Sequence, residues 1–150
     1  MIHPNFKDFP RHGRIIGIDW GARRTGVAVT DASQEYFFER APIVASMRDA
    51  DMARAVSDVI AAEQAVAIVL GLPLRADGTA SDTTAAVREF AARLETLCDT
   101  PIFMIDETLS SHSAQSDMGK CRLRDIKEKL DSAAARIILE NGVAMARRAG

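Results

Sequence analysis

The segment Ala65–Leu70 constrains the fold of this chain more than any other feature of its sequence. It is apolar, and its hydrophobic residues do not alternate with polar ones. A strand with one face in water alternates, whereas an uninterrupted apolar strand is typical of a parallel sheet covered on both faces. Gly71 and Pro73 predict its end. The segment therefore predicts a sheet with helices packed on both sides.

Strand and helix patterns alternate along the rest of the chain. The predicted elements are strands Arg14–Trp20, Thr25–Thr30 and Tyr36–Ala45, a helix from Ser46 to about Glu63, strand Ala65–Leu70, a helix from Ser81 to Cys98, strand Pro101–Asp106 and a helix from about Asp125 to Arg148. The first three strands form a meander, and right-handed crossovers add the others in parallel. We therefore predict an α/β fold with a five-stranded mixed sheet, flanked by helices, in which the first strand is central.

Two finer features are predicted for these elements. Pro42 is typical of an edge strand, because proline cannot donate to a neighbouring strand. The buried stripe of the last helix is expected at Ile126, Leu130, Ala134, Ile137, Ile138 and Asn141.

Composition limits the class of protein. The 150 residues, 47% of them hydrophobic, suit a single domain over residues 1–150. No segment reaches the roughly 18 apolar residues of a membrane span, and the first residues do not resemble a signal sequence, so the expected location is the cytoplasm. Cys98 and Cys121 are expected to be reduced thiols. A net charge of −2 disfavours bulk coating of nucleic acid but not a nuclease, whose metal cancels acidic charge.

Three acidic residues are candidate metal ligands. Asp19 ends a strand of isoleucines, where a buried carboxylate needs a partner; it could cap the following turn, but metal ligation is favoured because other acids converge on the same sheet edge. Asp106 and Glu107 are adjacent and point to opposite faces. Glu107 is preferred for its reach, since Asp106 suits a helix N-cap. Asp131 alone would be a solvated surface residue, and it becomes a candidate only together with the other two.

Such a cluster suits phosphodiester hydrolysis. Mg²⁺ or Mn²⁺ binds carboxylate oxygens, and two ions about 4 Å apart can activate water and stabilise the leaving oxygen. Asp77 and Asp106 are reserve metal ligands. The cations expected to contact substrate phosphates are Arg23, Arg24, Arg75, Lys120, Arg122 and Arg124.

Four motifs resemble those of the bacterial YqgF family, described as Holliday junction resolvases or pre-16S rRNA nucleases. They are GIDWGARRTGVAVTD at 17–31, VLGLPLRADGT at 69–79, IDETLSS at 105–111 and LDSAAARIILE at 130–140. The resemblance implies a ribonuclease H-like fold and a Mg²⁺- or Mn²⁺-dependent nuclease that matures the 5′ end of 16S ribosomal RNA. It also implies metal-binding roles for Asp19, Glu107 and Asp131. Thr108 differs from the arginine common in the family, which removes one expected phosphate contact.

Other functions remain open from the sequence. The substrate could be precursor ribosomal RNA or branched DNA, and the chain could bind nucleic acid with little nuclease activity. Asp19, Gly21, Thr25 and Gly26 also resemble the phosphate-binding hairpin of actin-like ATPases and sugar kinases, although those enzymes have a second facing domain. The expected state is a monomer or weak homodimer.

Overall fold

The computed structural model describes residues 2–3, 5–21, 24–44, 52–74, 79, 81–106 and 123–149, with the backbone alone described for 123–132 and 149. The described strands are β1 (Ile2–His3), β2 (Ile15–Asp19), β3 (Arg24–Thr30), β4 (Phe37–Val44), β5 (Ala67–Leu72) and β6 (Ile102–Asp106). The described helices are α1 (Met52–Glu63), α2 (Asp82–Leu97) and α3 (Leu123–Ala149). The predicted start of the first helix at Ser46 lies outside the described residues.

The described strands form one mixed sheet in the order β1-β6-β5-β2-β3-β4. The β2, β3 and β4 strands are antiparallel, while β5 is parallel to both β2 and β6. This confirms the α/β prediction, the central first predicted strand and the edge position of the strand with Pro42. The predicted count of five is corrected to six within the described part. The additional strand β1 pairs only two residues with β6, too few to leave a periodic pattern in the sequence.

Helices cover both faces of this sheet. Ile16 and Ile18 belong to the core beneath α1 and α2, whereas Ile15 belongs to the core beneath α3. Every residue of β5 is buried, as the uninterrupted apolar pattern predicts. Alternation along β2 therefore assigns each of its side chains to one of two cores.

Two local predictions were wrong. The β5 strand does not stop at Gly71, because Gly71 and Leu72 pair with Ile105 and Asp106. The stripe of α3 is also shifted, since Ile137 is partly exposed and Asn141 is exposed. The buried residues of the described part of α3 are instead Ala133, Ala134, Ala135, Ile138, Leu139, Gly142, Val143 and Ala146. Several are small, so α3 packs close to the sheet.

Helix α2 begins where the sequence predicts. Ser81 is its N-cap, and Ser81 and Thr84 form a capping box. The Thr84 hydroxyl also donates to the carbonyl of Pro73, which ties the start of α2 to the end of β5. Within the described ranges, no helix is long and apolar enough to cross a membrane.

Candidate active site at the carboxyl edge

The carboxyl ends of β2, β5 and β6 lie at one edge of the sheet, here called the carboxyl edge and marked by Asp19, Leu72 and Asp106. Asp19 is the last residue of β2 and pairs with Gly26 of β3. It is partly exposed, and by alternation it shares the face of Ile15, which is covered by α3. The Asp19 side chain thus stands at the carboxyl edge on the α3 side.

The turn after Asp19 is held by two hydrogen bonds between Gly21 and Thr25. The Gly21 amide donates to Thr25 Oγ1 (3.3 Å), and Thr25 Oγ1 donates to the Gly21 carbonyl oxygen (3.2 Å). Thr25 is fully buried. A Cβ at Gly21 would stand 2.2 Å from the carbonyl oxygen of Arg24, so no other residue fits this backbone. The turn therefore fixes the backbone next to Asp19.

Helix α3 touches β2 at Gly17. A Cβ at Gly17 would lie 2.7 Å from the Ala135 carbonyl oxygen and 2.7 Å from Leu139 Cβ. These distances leave no room for a side chain. Because Gly17 has none, the helix can approach the strand this closely. The sequence carries a signal for this contact, because an isolated glycine inside a strand often marks a close approach.

Two hydrogen bonds at the carboxyl-terminal end of α3 identify its direction over the sheet. Arg11 Nη2 donates to the Ala146 carbonyl oxygen (3.0 Å), and Arg147 Nη2 donates to that of Gln34 (2.9 Å). Residues 11 and 34 lie in the segments next to the start of β2 and the end of β3, so α3 ends at the amino end of β2. Its earlier residues therefore run toward the carboxyl edge.

This direction brings position 131 toward Asp19. Position 131 precedes Ala135 by one turn, about 6 Å along the helix axis. Asp19 follows Gly17 by two residues, about 7 Å along the strand. Both steps lead from the Gly17–Ala135 contact toward the carboxyl edge. The backbone of Asp131 is described and its side chain is not.

Asp106 stands on the other face of the sheet. It ends β6 and is exposed, and it shares the alternation of Ile102 and Met104, which pack in the core beneath α1 and α2. Asp19 faces α3 instead. Asp106 is therefore poorly oriented to share a metal with Asp19. Glu107, the next residue, lies outside the described residues.

Comparison with known proteins identifies the family. The model of the family RuvX, described as Holliday junction resolvase, matches residues 13–144. The chain belongs to this family. The match confirms the resemblance to the YqgF family.

Relatives of this RuvX-family chain match it over most of their length. A protein of Maridesulfovibrio salexigens is 42% identical over 135 residues, which are 89% of this chain and 99% of that protein. One of Thiobacillus denitrificans is 38% identical over 135 residues, 89% of this chain and 92% of the relative. Both carry the name "Putative pre-16S rRNA nuclease".

Solved structures share the fold of this RuvX-family chain at low sequence identity. T. thermophilus RuvC in complex with a Holliday junction substrate aligns with a TM-score of 0.54 and 12% identity, over 89% of this chain and 96% of RuvC. The yeast mitochondrial Holliday junction resolvase Ydc2 aligns with a TM-score of 0.55 and 11% identity, over 96% of this chain and 84% of Ydc2. These likenesses confirm the ribonuclease H-like fold.

The remaining predicted site residues of this RuvX-family chain are only partly described. Arg24 begins β3, pairs with Val44 and is partly buried. Arg124 belongs to α3, where only its backbone is described. The predicted residues outside the described ranges are Arg23, Arg75, Asp77, Lys120 and Arg122. Among the described side chains, no three acids, histidines or cysteines form a metal-sized group, and neither Glu107 nor the Asp131 side chain belongs to that set.

One acidic residue far from the carboxyl edge has a structural use. Asp31 lies after β3, at the amino end of β2, where it accepts hydrogen bonds from the Ser33 hydroxyl and from the amides of Tyr36 (3.1 Å) and Glu35 (3.0 Å). The Ser33 bond is the largest cause that lowers the pKa of Asp31 from 3.8 to about 2. Asp31 therefore closes the turn between β3 and β4.

Proposed function

We propose that this chain is a metal-dependent nuclease, with Asp19, Glu107 and Asp131 as its Mg²⁺ or Mn²⁺ ligands. The observation that carries the proposal is the contact of Gly17 with α3, from which β2 and α3 both continue to the carboxyl edge. Asp19 and position 131 thus belong to two elements that meet at a fixed distance. Membership of the RuvX family supports nuclease function.

The proposed ligands suit the chemistry. Mg²⁺ and Mn²⁺ prefer carboxylate oxygens, and a bound ion would supply an activated water and stabilise the charge of the leaving oxygen. Asp19 contributes a carboxylate held by a central strand and by the Gly21–Thr25 turn. A ligand on such a rigid support keeps its geometry when the substrate binds.

Precursor 16S ribosomal RNA is the proposed substrate, because the matched relatives carry that substrate in their names. We place the protein in the cytoplasm with this RNA, as a monomer or weak homodimer. The second candidate is a branched DNA junction, which the description of the matched family favours. A third is nucleic-acid binding with little cleavage.

One experiment separates these functions. Purified protein is incubated with precursor 16S RNA carrying its 5′ extension and with a four-way DNA junction, each in Mn²⁺, Mg²⁺ or EDTA. We expect cleavage of the RNA in Mn²⁺ or Mg²⁺ and none in EDTA. Cleavage of the junction alone would support the resolvase function, and binding of either substrate without cleavage would support the binding module.

Two matched variants test the site. Asp19→Asn removes the charge at the carboxyl edge, and we expect at least a 100-fold loss of cleavage, as for removal of an essential electrostatic group. Asp58→Asn makes the same change on the exposed surface of α1 and should cleave like the parent. Equal cleavage by the parent and Asp19→Asn would refute the metal-site assignment.

A further inference from the structure

Trp20 lies next to Asp19 on the opposite face of the sheet. It continues the alternation of Ile16 and Ile18, and its indole packs against the core beneath α1 and α2. The indole and the Phe90 ring have centroids 6.1 Å apart and planes tilted by 39°. Ile16 and Ile18 are fully buried, but Trp20 is only partly buried. Trp20 is therefore partly accessible to solvent at the carboxyl edge.

A partly accessible aromatic residue at this place has a use in nucleic-acid binding. Unpaired bases stack on aromatic side chains, and this contact accepts every base because each has a π face. Phe90, which is buried, supports the indole from the core side. The ring is thus held in place before any substrate binds, which reduces the entropy lost on stacking.

The positions of Asp19 and Trp20 match the two ends of a nucleotide. Adjacent residues at the end of a strand point to opposite faces, so the carboxylate and the indole lie on either side of β2. A nucleotide likewise extends its phosphate and its base in different directions from the sugar. We propose that the Trp20 indole is the stacking surface for an unpaired base of the strand whose phosphate would be held by the metal ion proposed at Asp19. This inference rests on the proposed nuclease function.

The stacking surface narrows the substrate class. A base inside a duplex already stacks on its neighbours, whereas a base in a single-stranded segment can leave its neighbours at little cost. The expected substrate is therefore single-stranded at the cleaved bond, without a fixed base identity beside it.

The test uses the intrinsic fluorescence of the protein, because Trp20 is its single tryptophan. The parent protein in Mg²⁺ is titrated with an unstructured, cleavage-resistant phosphorothioate RNA of about 12 nucleotides and with a duplex of the same length and backbone. Anisotropy of end-labelled RNA measures binding in parallel, and a gel detects cleavage. We expect saturable quenching of Trp20 by the single strand and loss of its access to acrylamide, with little change by bound duplex.

Failure of this inference is distinct from failure of the proposed function. Single-stranded RNA that binds without changing the emission or acrylamide access of Trp20 would overturn the stacking inference while leaving the nuclease intact. Absence of binding to the single strand would also overturn it. Quenching with a parent protein that cuts nothing would uphold the stacking and remove the nuclease.

Substitutions give a second measurement. Trp20→Phe keeps an aromatic face and should bind within about threefold of the parent, whereas Trp20→Leu keeps only the apolar contact and should lose about tenfold in affinity. Tyr36→Leu is the matched control, because Tyr36 is 64% exposed and precedes β4 at the amino end of β2. Equal weakening by Trp20→Leu and Tyr36→Leu would contradict a local role. If the Trp20 variants do not fold, the fluorescence titration of the protein that retains Trp20 still tests the stacking proposal.

Discussion

Gly17 and Ala135 are in backbone contact across the sheet and helix, and a Cβ at Gly17 would stand 2.7 Å from the Ala135 carbonyl oxygen. Gly17→Ala must therefore move α3 away from β2. Overpacking of this kind costs about 1–3 kcal/mol of unfolding free energy. We expect a loss of that size in denaturant melts, together with reduced cleavage, because position 131 moves with α3.

Gly142→Ala is the matched control for this prediction. A Cβ at Gly142 would contact the side chain of Val69, with 2.7 Å to Cγ1, rather than a backbone atom. A side chain can adjust more easily than a helix backbone, so Gly142→Ala should cost less than Gly17→Ala. A larger loss for Gly142→Ala would show that the Gly17 contact does not set the position of α3.

Thr25→Val tests the turn beside Asp19. Valine has nearly the same shape but cannot form the two hydrogen bonds with Gly21, which leaves the Gly21 amide and carbonyl without those partners. We expect a loss of about 1–3 kcal/mol in unfolding free energy and a clear loss of cleavage.

Thr30→Val provides a comparison at the other end of the same strand. Thr30 is buried like Thr25, accepts from the Ile15 amide (2.9 Å) and donates to the Asp31 carbonyl oxygen (2.8 Å). Thr30→Val should lower the free energy of unfolding about as much as Thr25→Val does, but it should reduce kcat less. Similar kcat losses at comparable stability would mean that the Gly21–Thr25 turn has no special role in positioning Asp19.

Metal binding should raise the thermal midpoint of the protein. An ion at 100 times its Kd stabilises the folded state by about 2.7 kcal/mol, which raises Tm by several degrees. We expect this shift with Mn²⁺ in the parent and in Asp58→Asn, and its reversal by EDTA. Asp19→Asn should lose most of the shift. An undiminished shift in Asp19→Asn would place the metal elsewhere, whatever the cleavage assay shows.

Asp31 should titrate well below an ordinary aspartate. Its pKa of about 2 lies below the reference value of 3.8, so its hydrogen bonds contribute stability above pH 3.8, and this contribution is lost as the pH falls through about 2. NMR titration of the Asp31 carboxyl group measures the midpoint. Ser33→Ala removes the largest cause and should move the midpoint upward, and an unchanged midpoint would argue against the Ser33 hydrogen bond.

The sequence predicted the sheet because its central strands are buried on both faces. The β2 and β5 strands are apolar on both faces, and such runs are hard to mistake. The β1 strand has only two residues, which are too few to show a periodic pattern. The buried face of α3 was misjudged because Ile137 and Ala135 are both apolar, and only contact with the sheet at Gly17 decides which one is buried.

The site was predictable to a smaller extent. Asp19 follows from a charged residue at the end of a central apolar strand, and the structure places it at the carboxyl edge. The face of the sheet on which Asp106 lies follows from the alternation of side chains along β6. How near position 131 comes to Asp19 depends on how closely α3 approaches β2, which hydrophobic periodicity does not report. The ligand roles of Glu107 and Asp131 remain predictions.

The central position of β2 also determines under which conditions the backbone of the site can unfold. This strand is bonded to β3 on one side and β5 on the other, and helices cover both of its faces. Its amides should exchange with solvent only when the whole protein opens, whereas β1 at the sheet edge can fray independently. Asp19 is therefore anchored to the slowest-exchanging part of the chain, and a protease that trims the edges would leave its backbone in place.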